Sequence, residues 1–511
     1  MFAPIHTWSQ SLSEVLSTPY DTANMTIYRL QSAFLPQGWT QDVVVTVSPQ
    51  GMITAIDTSA SANASPSPSP SPSPSASPAP SATTTPTPAM PIERVAGFVI
   101  PGMPNAHSHA FQRAMAGNAE FRSSARDSFW SWRQAMYALA NRIGPEELRI
   151  VATQLFVEML KAGYTSVAEF HYLHRPSGEK PYAGANLLWE AIGSAADTAG
   201  IGLTFLPTLY QSSDFGAAPL KPEQARFALQ TDAFLRAVEE RVGAERRGGV
   251  SARRTGAAFH SLRAVPLDQL RNAAIALRAI DSSIPVHIHV AEQALEVSAC
   301  QRATGRRPIQ LLLEQELLTQ HWCVVHATHA TAPELQGIAA ANAAVCVSVS
   351  TEANLGDGLF DTARFFEARG RLCIGSDSQS TVSPAEELRW LEYQQRLRKK
   401  RRVVLATKDE SHVGTTLWRG AALGGALAIG QPVGEIAVGR RADWLVLDAV
   451  HPAMAGAAPD AAFDRLLFAG ADKAIRDVMV AGRWVVKDYH HPAELGLRVD
   501  FSSVMKDLAN G

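Results

Sequence analysis

Apolar and polar positions change period twice along the chain, and the changes mark three regions. From 25 to 57 they alternate, in Ile27-Tyr28-Arg29-Leu30, Val43-Val44-Val45-Thr46-Val47 and Met52-Ile53-Thr54-Ala55-Ile56, punctuated by Gly38 and Gly51. Alternation at period two predicts half-buried strands, here a small antiparallel β unit. From 104 to about 425, short apolar runs alternate with segments of helical period such as Leu148 to Lys161 and Leu187 to Ala199. With Val99-Ile100 as the first, the runs are Tyr164–Phe170, Gly202–Pro207, Gly256–Phe259, Ile284–His289, Cys323–His326, Ala344–Val347 and Arg371–Gly375. Eight strands with helical spacers predict an α/β fold, a (β/α)8 TIM barrel. After about 430 β-like sequence returns, in Gly434–Gly439, Asp443–Asp448 and Val478–Val486. These strands are expected to pair with 25–57 as a small β-sandwich domain formed from both chain ends. The expected division is an N-terminal extension over 1–24, the small domain over 25–103 with 426–511, and the barrel over 104–425.

One stretch fits none of these periods. Residues 58–91 are a Ser/Pro/Ala/Thr repeat that buries too little apolar surface to offset its ordering entropy. It reads as a disordered insertion in a surface loop of the small domain; docking to a Pro-rich recognition module is the lesser reading. The formal net charge is -2, so no nucleic-acid partner is expected, and Arg396 to Arg402 reads as a solvated helix face. No run reaches the ~18 apolar residues that a membrane span requires. Residues 1–24 lack the basic start and apolar run of a secretory signal. The four cysteines are scattered with no CxxC, so a disulfide framework is not expected and a reducing cytoplasm is the simplest home.

Candidate chemistry gathers at the ends of the barrel runs. Pro101-Gly102 ends the first run, and Asn105-Ala106-His107-Ser108-His109 follows. Two residues apart on extended backbone, His107 and His109 face one side, which makes half of a zinc site. Downstream, His289 closes one run with Glu292 three residues on, His326 closes the next, and Asp377 follows the last. His107, His109, His289 and Asp377 would satisfy one Zn²⁺ per chain and leave room for a water, and Fe²⁺ suits the same ligands. Such a metal makes water a nucleophile near neutral pH. Asp377 is then placed to take its proton, Glu292 to pass a proton to a leaving nitrogen, and His326 to polarise the carbon centre or hydrogen-bond the nucleophile. His287 reads as a core histidine one layer deeper, and His329 and His174 as structural or exposed.

The order His-x-His, His, His, Asp on a barrel flanked by a two-ended β domain resembles the amidohydrolase superfamily. No lysine stands at Phe259-His260, where two-metal members carry a bridging carboxylated lysine, so the likeness is to the one-zinc deaminase branch. Longer words over 104–115, 127–133, 168–172, 351–358 and 383–390 resemble the formimidoylglutamate deiminases, and the resemblance spans 25–57 and 92–500. It implies a small-molecule substrate, N-formimino-L-glutamate, hydrolysed to N-formyl-L-glutamate and ammonia in histidine degradation. It also implies Gln112, Arg133, Tyr172, His260 and Arg263 as the donors that hold the substrate's two carboxylates. The chain departs from the pattern at Cys346-Val347-Ser348-Val349-Ser350, where a Cys-Pro-Thr-like loop is expected. Oligomeric state is left open, a homodimer being common among barrel enzymes. Two alternatives stand beside this reading. One is another one-zinc deaminase of the guanine or triazine type. The other is a non-catalytic metal-binding scaffold, against which the intact Glu292, His326 and Asp377 argue.

Overall fold

A computed structural model describes residues 25–59, 91–118, 120, 129–176, 186–248 and 252–510. The expected extension over 1–24 and nearly all of the Ser/Pro/Ala insertion lie outside the described residues.

The alternating N-terminal region forms β1 (Thr26–Leu35), β2 (Gly38–Val47) and β3 (Ile53–Asp57), and the apolar run ahead of the paired histidines forms β4 (Ile92–Pro101). Then come β5 (Met103–Ser108), β6 (Tyr164–His171), β7 (Gly202–Leu209), β8 (Arg253–Thr255) and β9 (Ala257–Phe259). The series continues with β10 (Val286–Val290), β11 (Trp322–His326), β12 (Ala344–Val347) and β13 (Arg371–Ile374). Last are β14 (Trp444–Leu447), β15 (Ile475–Val480) and β16 (Arg483–Val486). In the barrel sheet β5, β6, β7, β9, β10, β11, β12 and β13 are successive parallel neighbours, and β8 pairs on β7. Buried on both faces, most of these strands read as mainly apolar runs, while β5, β6 and β10 also carry buried His, Asn, Ser or Glu.

The cylinder closes where β5 meets the segment after β13. His109 N–H donates to the Asp377 carbonyl at 3.2 Å, and Asp377 N–H donates to the His107 carbonyl at 3.0 Å. The helix Val413–Ile429 lies across the outside of this seam, against β13 and β5. Gly424 permits that approach, because a Cβ there would strike the Leu372 carbonyl.

The chain-end strands form one seven-stranded sheet in the order β16-β15-β14-β4-β1-β2-β3, with a parallel β1–β4 pair joining two antiparallel halves. Period two gives it two apolar faces. Tyr28, Leu30, Val43, Val45, Trp444 and Val446 pack into a core of their own. The neighbours Phe34, Phe98, Ile100, Leu445 and Leu447 pack into the barrel's core.

Two expectations are corrected. Val99-Ile100 is not the first barrel strand but part of β4 in the chain-end sheet; the barrel begins at Met103. Pro104 and Asn105 are poor strand formers and hid β5, whereas both faces of β4 are covered at its end, which made it look like a barrel run. Gly434–Gly439 is a succession of turns, not a strand. Among the described residues no helix is long and apolar enough to cross a membrane.

Gly375 sits in the seam. A Cβ there would lie 2.7 Å from both the Cβ and the carbonyl oxygen of His107. Gly375→Ala should spread the closure and cost about 1–3 kcal/mol of stability. Urea unfolding with metal analysis checks this: the expected result is a lower midpoint together with lower metal content.

Candidate active site

At the mouth of the barrel, β5 ends with His107 inside the strand and His109 just beyond it, β10 carries His289, and Asp377 follows β13. His107 and His289 lie 3.0 Å apart at Nε2, and His109 and His289 lie 3.3 Å apart at the same atoms. Asp377 Oδ1 is 3.4 Å from His107 Nε2 and 3.5 Å from His109 Nε2. All four side chains are buried. Two imidazoles are oriented from behind: His109 Nδ1 donates to the Phe170 carbonyl at 2.8 Å, and His289 Nδ1 to the His260 carbonyl at 2.9 Å. These bonds put the proton on Nδ1 and leave the Nε2 lone pairs facing each other. Burial, reinforced by the neighbouring imidazoles, pushes the pKa of His289 far down and that of His109 down to about 3, so both are neutral. Burial would raise Asp377, but His107, His326 and His109 hold it below the usual carboxylate range. Lone pairs and a carboxylate converging in a dry pocket repel one another unless a cation lies between them. Tetrahedral ligation at ~2.0–2.1 Å sets ligand atoms about 3.3 Å apart, close to what is found here. The group fits one divalent metal ion, and among the described residues it is the one cluster of His, Cys, Asp and Glu side chains with that geometry.

Beside the cluster lies a set of buried titratable groups. His326 Nε2 is 3.7 Å from Asp377 Oδ2 and 3.8 Å from Glu292 Oε1, and its Nδ1 is 3.2 Å from Glu352 Oε1. Burial opposes its charge, but Glu292, the Glu352 hydrogen bond and Asp377 together push His326 up to about 10. Burial pushes Glu292 up to about 7, with His326 opposing and Asp377 and Glu296 adding. A carboxyl titrating there both donates and accepts protons at neutral pH. The backbone is strained at these points: His326 has φ +71° and Asp377 φ +46°, conformations that side-chain-bearing residues rarely adopt.

A narrow cavity opens above the cluster. Gln112, Arg133, Tyr172, His260 and Arg263 all line it, together with His109, His289, Glu292, His326 and Asp377. Among the sequence-predicted site residues His107 alone is not on its wall. Gln112 Nε2 donates to the Tyr172 hydroxyl at 2.9 Å, and the Tyr172 ring stacks edge-on to His109 with centroids 5.0 Å apart. Arg133 stands on the helix Phe129–Ala140, and its Nη2 donates to the Tyr210 hydroxyl at 3.5 Å. Arg263 is buried, and its Nε finds no hydrogen-bond partner among the described atoms. His287 is a core histidine whose Nε2 donates to the Ala428 carbonyl at 2.7 Å. His174 likewise bonds inward, to the Thr208 carbonyl at 2.8 Å.

Sequence reasoning missed the groups that hold this site in place. Glu352 was legible only as part of the word Thr351-Glu352-Ala353-Asn354, yet its carboxylate fixes His326 and accepts the Ser348 N–H at 3.1 Å. The departure at Ser348-Val349-Ser350 forms the start of the helix Val349–Leu355 that carries Glu352, and the Ser350 N–H is held by Glu387 Oε2 at 3.1 Å. Glu296 receives the Ala291 and Glu292 amides at 3.2 and 3.1 Å, and so orients the Glu292 backbone. No local pattern announced it. Glu169 accepts from Ser108 Oγ at 2.8 Å and from Ala110 N–H at 2.7 Å, bracing the turn between and after the paired histidines.

Known proteins resemble this chain over nearly its full length. The sequence model of the amidohydrolase family matches residues 98–485. A formimidoylglutamate deiminase from Pseudomonas aeruginosa is 45% identical over 478 residues, which cover 94% of this chain and 98% of that protein. An 8-oxoguanine deaminase from the same organism is 25% identical over 397 residues, 76% of this chain and 82% of that one. The crystal structure of an amidohydrolase from Brucella melitensis superposes with a TM-score of 0.82 at 37% identity, covering 95% of this chain and 100% of that one. That of an adenosine deaminase from Xanthomonas campestris with bound zinc shares the fold, with a TM-score of 0.73 at 19% identity over 95% and 99% of the two chains. The closed parallel barrel, its buried ligand cluster and these likenesses lead to one conclusion: the chain belongs to the amidohydrolase family.

Proposed function

We propose that this enzyme hydrolyses N-formimino-L-glutamate to N-formyl-L-glutamate and ammonia, with Zn²⁺ as the resident metal and Fe²⁺ as the alternative the same ligands accept. The observation that carries the reading is the pair of arginines, Arg133 and Arg263, on the wall of the cavity that also holds the ligand cluster. A substrate with two carboxylates and one reacting carbon needs that arrangement, because guanidinium forks bind carboxylates in fixed geometry. A neutral heterocycle has no use for two arginines. The likeness to the P. aeruginosa deiminase points the same way.

In the reaction, water adds to the formimino carbon, the bond from that carbon to the terminal nitrogen breaks, and ammonia leaves. His107, His109, His289 and Asp377 would hold a divalent metal, which would supply Lewis-acid activation of the attacking water. Asp377 takes the proton released as that water attacks. Glu292, poised near neutrality, carries a proton to the departing nitrogen. His326, charged and clasped by Glu352, stabilises negative charge that develops at the reacting centre. Gln112, Tyr172 and His260 donate to carboxylate oxygens beside the two arginines.

Ammonia release from N-formimino-L-glutamate, N-formimino-L-aspartate and guanine, with metal analysis on the same sample, tests the reading. The expected result is turnover of the glutamate derivative first; preference for guanine would move the enzyme to the heterocycle deaminases. Glu292→Gln should lower kcat by ~10²–10⁴-fold with metal retained. Wild-type kcat in that variant would remove Glu292 from the proton path. Arg263→Ala should raise KM at least tenfold, or about 1.4 kcal/mol in binding, with unchanged metal content. Equal KM in the two proteins would break the carboxylate clamp. Chelation should lower the thermal midpoint of the wild type, because the folded state alone presents the four ligands together, and Zn²⁺ or Fe²⁺ should restore it. In His289→Ala the midpoint should no longer respond to either treatment.

A further inference from the structure

Arg133 does not stand on a barrel strand. It sits on the helix Phe129–Ala140, so the place of its guanidinium depends on what holds that helix. The holder is a short 3₁₀ turn, Pro222–Phe227, in the connection that follows β7. Arg226, buried in this turn, donates from Nη1 to the Ile143 carbonyl at 2.9 Å and also to the Ala140 carbonyl at the helix's C-terminal end. Asn141 Nδ2 donates back to the Glu223 carbonyl at 3.0 Å. Gln224, 1% exposed, then reaches the two phenols that flank Arg133. Its Nε2 donates to the Tyr210 hydroxyl at 2.8 Å and to the Tyr137 hydroxyl at 3.2 Å, while its Oε1 accepts the Lys221 N–H at 3.0 Å. Tyr137 presents its ring to the Arg133 guanidinium, 5.1 Å from the centroid, and the Tyr210 oxygen accepts from Arg133 Nη2. The Tyr210 ring is wedged between His260 and Phe227, with centroids at 4.7 and 5.5 Å. Buried amides and phenols with their bonds made have one arrangement, and a guanidinium leaning on them inherits it.

A guanidinium fixed in this way stands at a set distance from the ligand cluster. That distance is a ruler for the span between the reacting carbon and a carboxylate. We propose that Tyr210 and Gln224 are positioning residues which set Arg133, and through it the length of dicarboxylate chain that the cavity accepts. The inference rests on the dicarboxylate reading above and adds to it the groups that measure chain length. Neither residue touches the reacting atoms: the effect passes through Arg133, so it falls on binding and on discrimination, not on the chemical step.

Tyr210→Phe is the test, since it removes only the hydroxyl and keeps the ring against His260 and Phe227. With N-formimino-L-glutamate, KM should rise about tenfold while kcat stays within about twofold of wild type. The preference for the glutamate over the aspartate derivative, as a ratio of kcat/KM, should shrink. In an Arg133→Ala background the same change should add nothing, because the residue it acts through is gone. Gln224→Leu should repeat the pattern if it folds; Tyr210→Phe decides the matter if it does not. Calorimetry with glutarate, a dicarboxylate without a reacting carbon, gives a readout independent of turnover, and its affinity should fall about tenfold in Tyr210→Phe. An active wild type whose Tyr210→Phe variant keeps its KM, its preference and its glutarate affinity overturns the inference and leaves the function standing. Losses that multiply with those of Arg133→Ala also overturn it. A wild type that neither turns over N-formimino-L-glutamate nor binds glutarate overturns both.

Discussion

The seam of the barrel and the metal-ligand cluster are one structure. The two hydrogen bonds that join the first and last barrel strands run between the backbones of His107, His109 and Asp377, three of the four ligands. Ligand spacing is therefore set by sheet geometry, which tolerates little adjustment, and not by the reach of flexible side chains. The fourth ligand, His289, is fixed by its own strand and by the carbonyl of His260, just past the end of the neighbouring strand β9. The outer helix Val413–Ile429 presses on the same seam, so packing far from solvent bears directly on the coordination geometry.

Around that rigid centre the charges are arranged so that burial and pairing oppose each other. Asp377 is kept ionised by imidazoles, Glu292 is left near neutrality by burial, and His326 is kept charged by the acids around it. In a low-dielectric pocket such differences are large, and they separate groups of similar chemistry into donor, acceptor and electrostatic partner. The left-handed backbone at His326, the last residue of β11, and at Asp377, three residues past β13, stores strain beside the cluster.

Much of this was legible in the sequence, for identifiable reasons. Seven of the eight barrel runs are strands in the described fold because strands buried on both faces are continuous and apolar. The eighth was displaced onto β4, since Pro104 and Asn105 broke the signal of β5. All four ligands are brought together as their positions at strand ends implied, because period and strand order suffice to bring strand ends to one mouth. Glu296, Glu352 and Glu169 were not legible in their roles, and neither was Gln224. Each acts through a contact with residues distant in sequence or with backbone amides, and a single chain carries no trace of such pairings. Gly434–Gly439 failed for the opposite reason: the short apolar run Ile436-Ala437-Val438 between two glycines forms turns, and of the three Ile436 alone is buried.

The site divides along the chain in a way that separates chemistry from choice of substrate. Gln112 and Arg133 follow β5, Tyr172 follows β6, Tyr210 and Gln224 follow β7, and His260 and Arg263 follow β9. Glu292, His326 and Asp377, with Glu352 and Glu296 behind them, follow β10 to β13. Gln112, Arg133, Tyr172, His260 and Arg263 from the first half of the barrel and Glu292, His326 and Asp377 from the second line one cavity, and the metal-ligand cluster draws on both halves. Arg133 and Gln224 stand on helical segments instead of strands, and their placement depends on contacts such as the grip of Arg226 on the end of the Arg133 helix. Tyr172, Tyr210 and His260 lie one residue past a strand end, and His326 closes its strand.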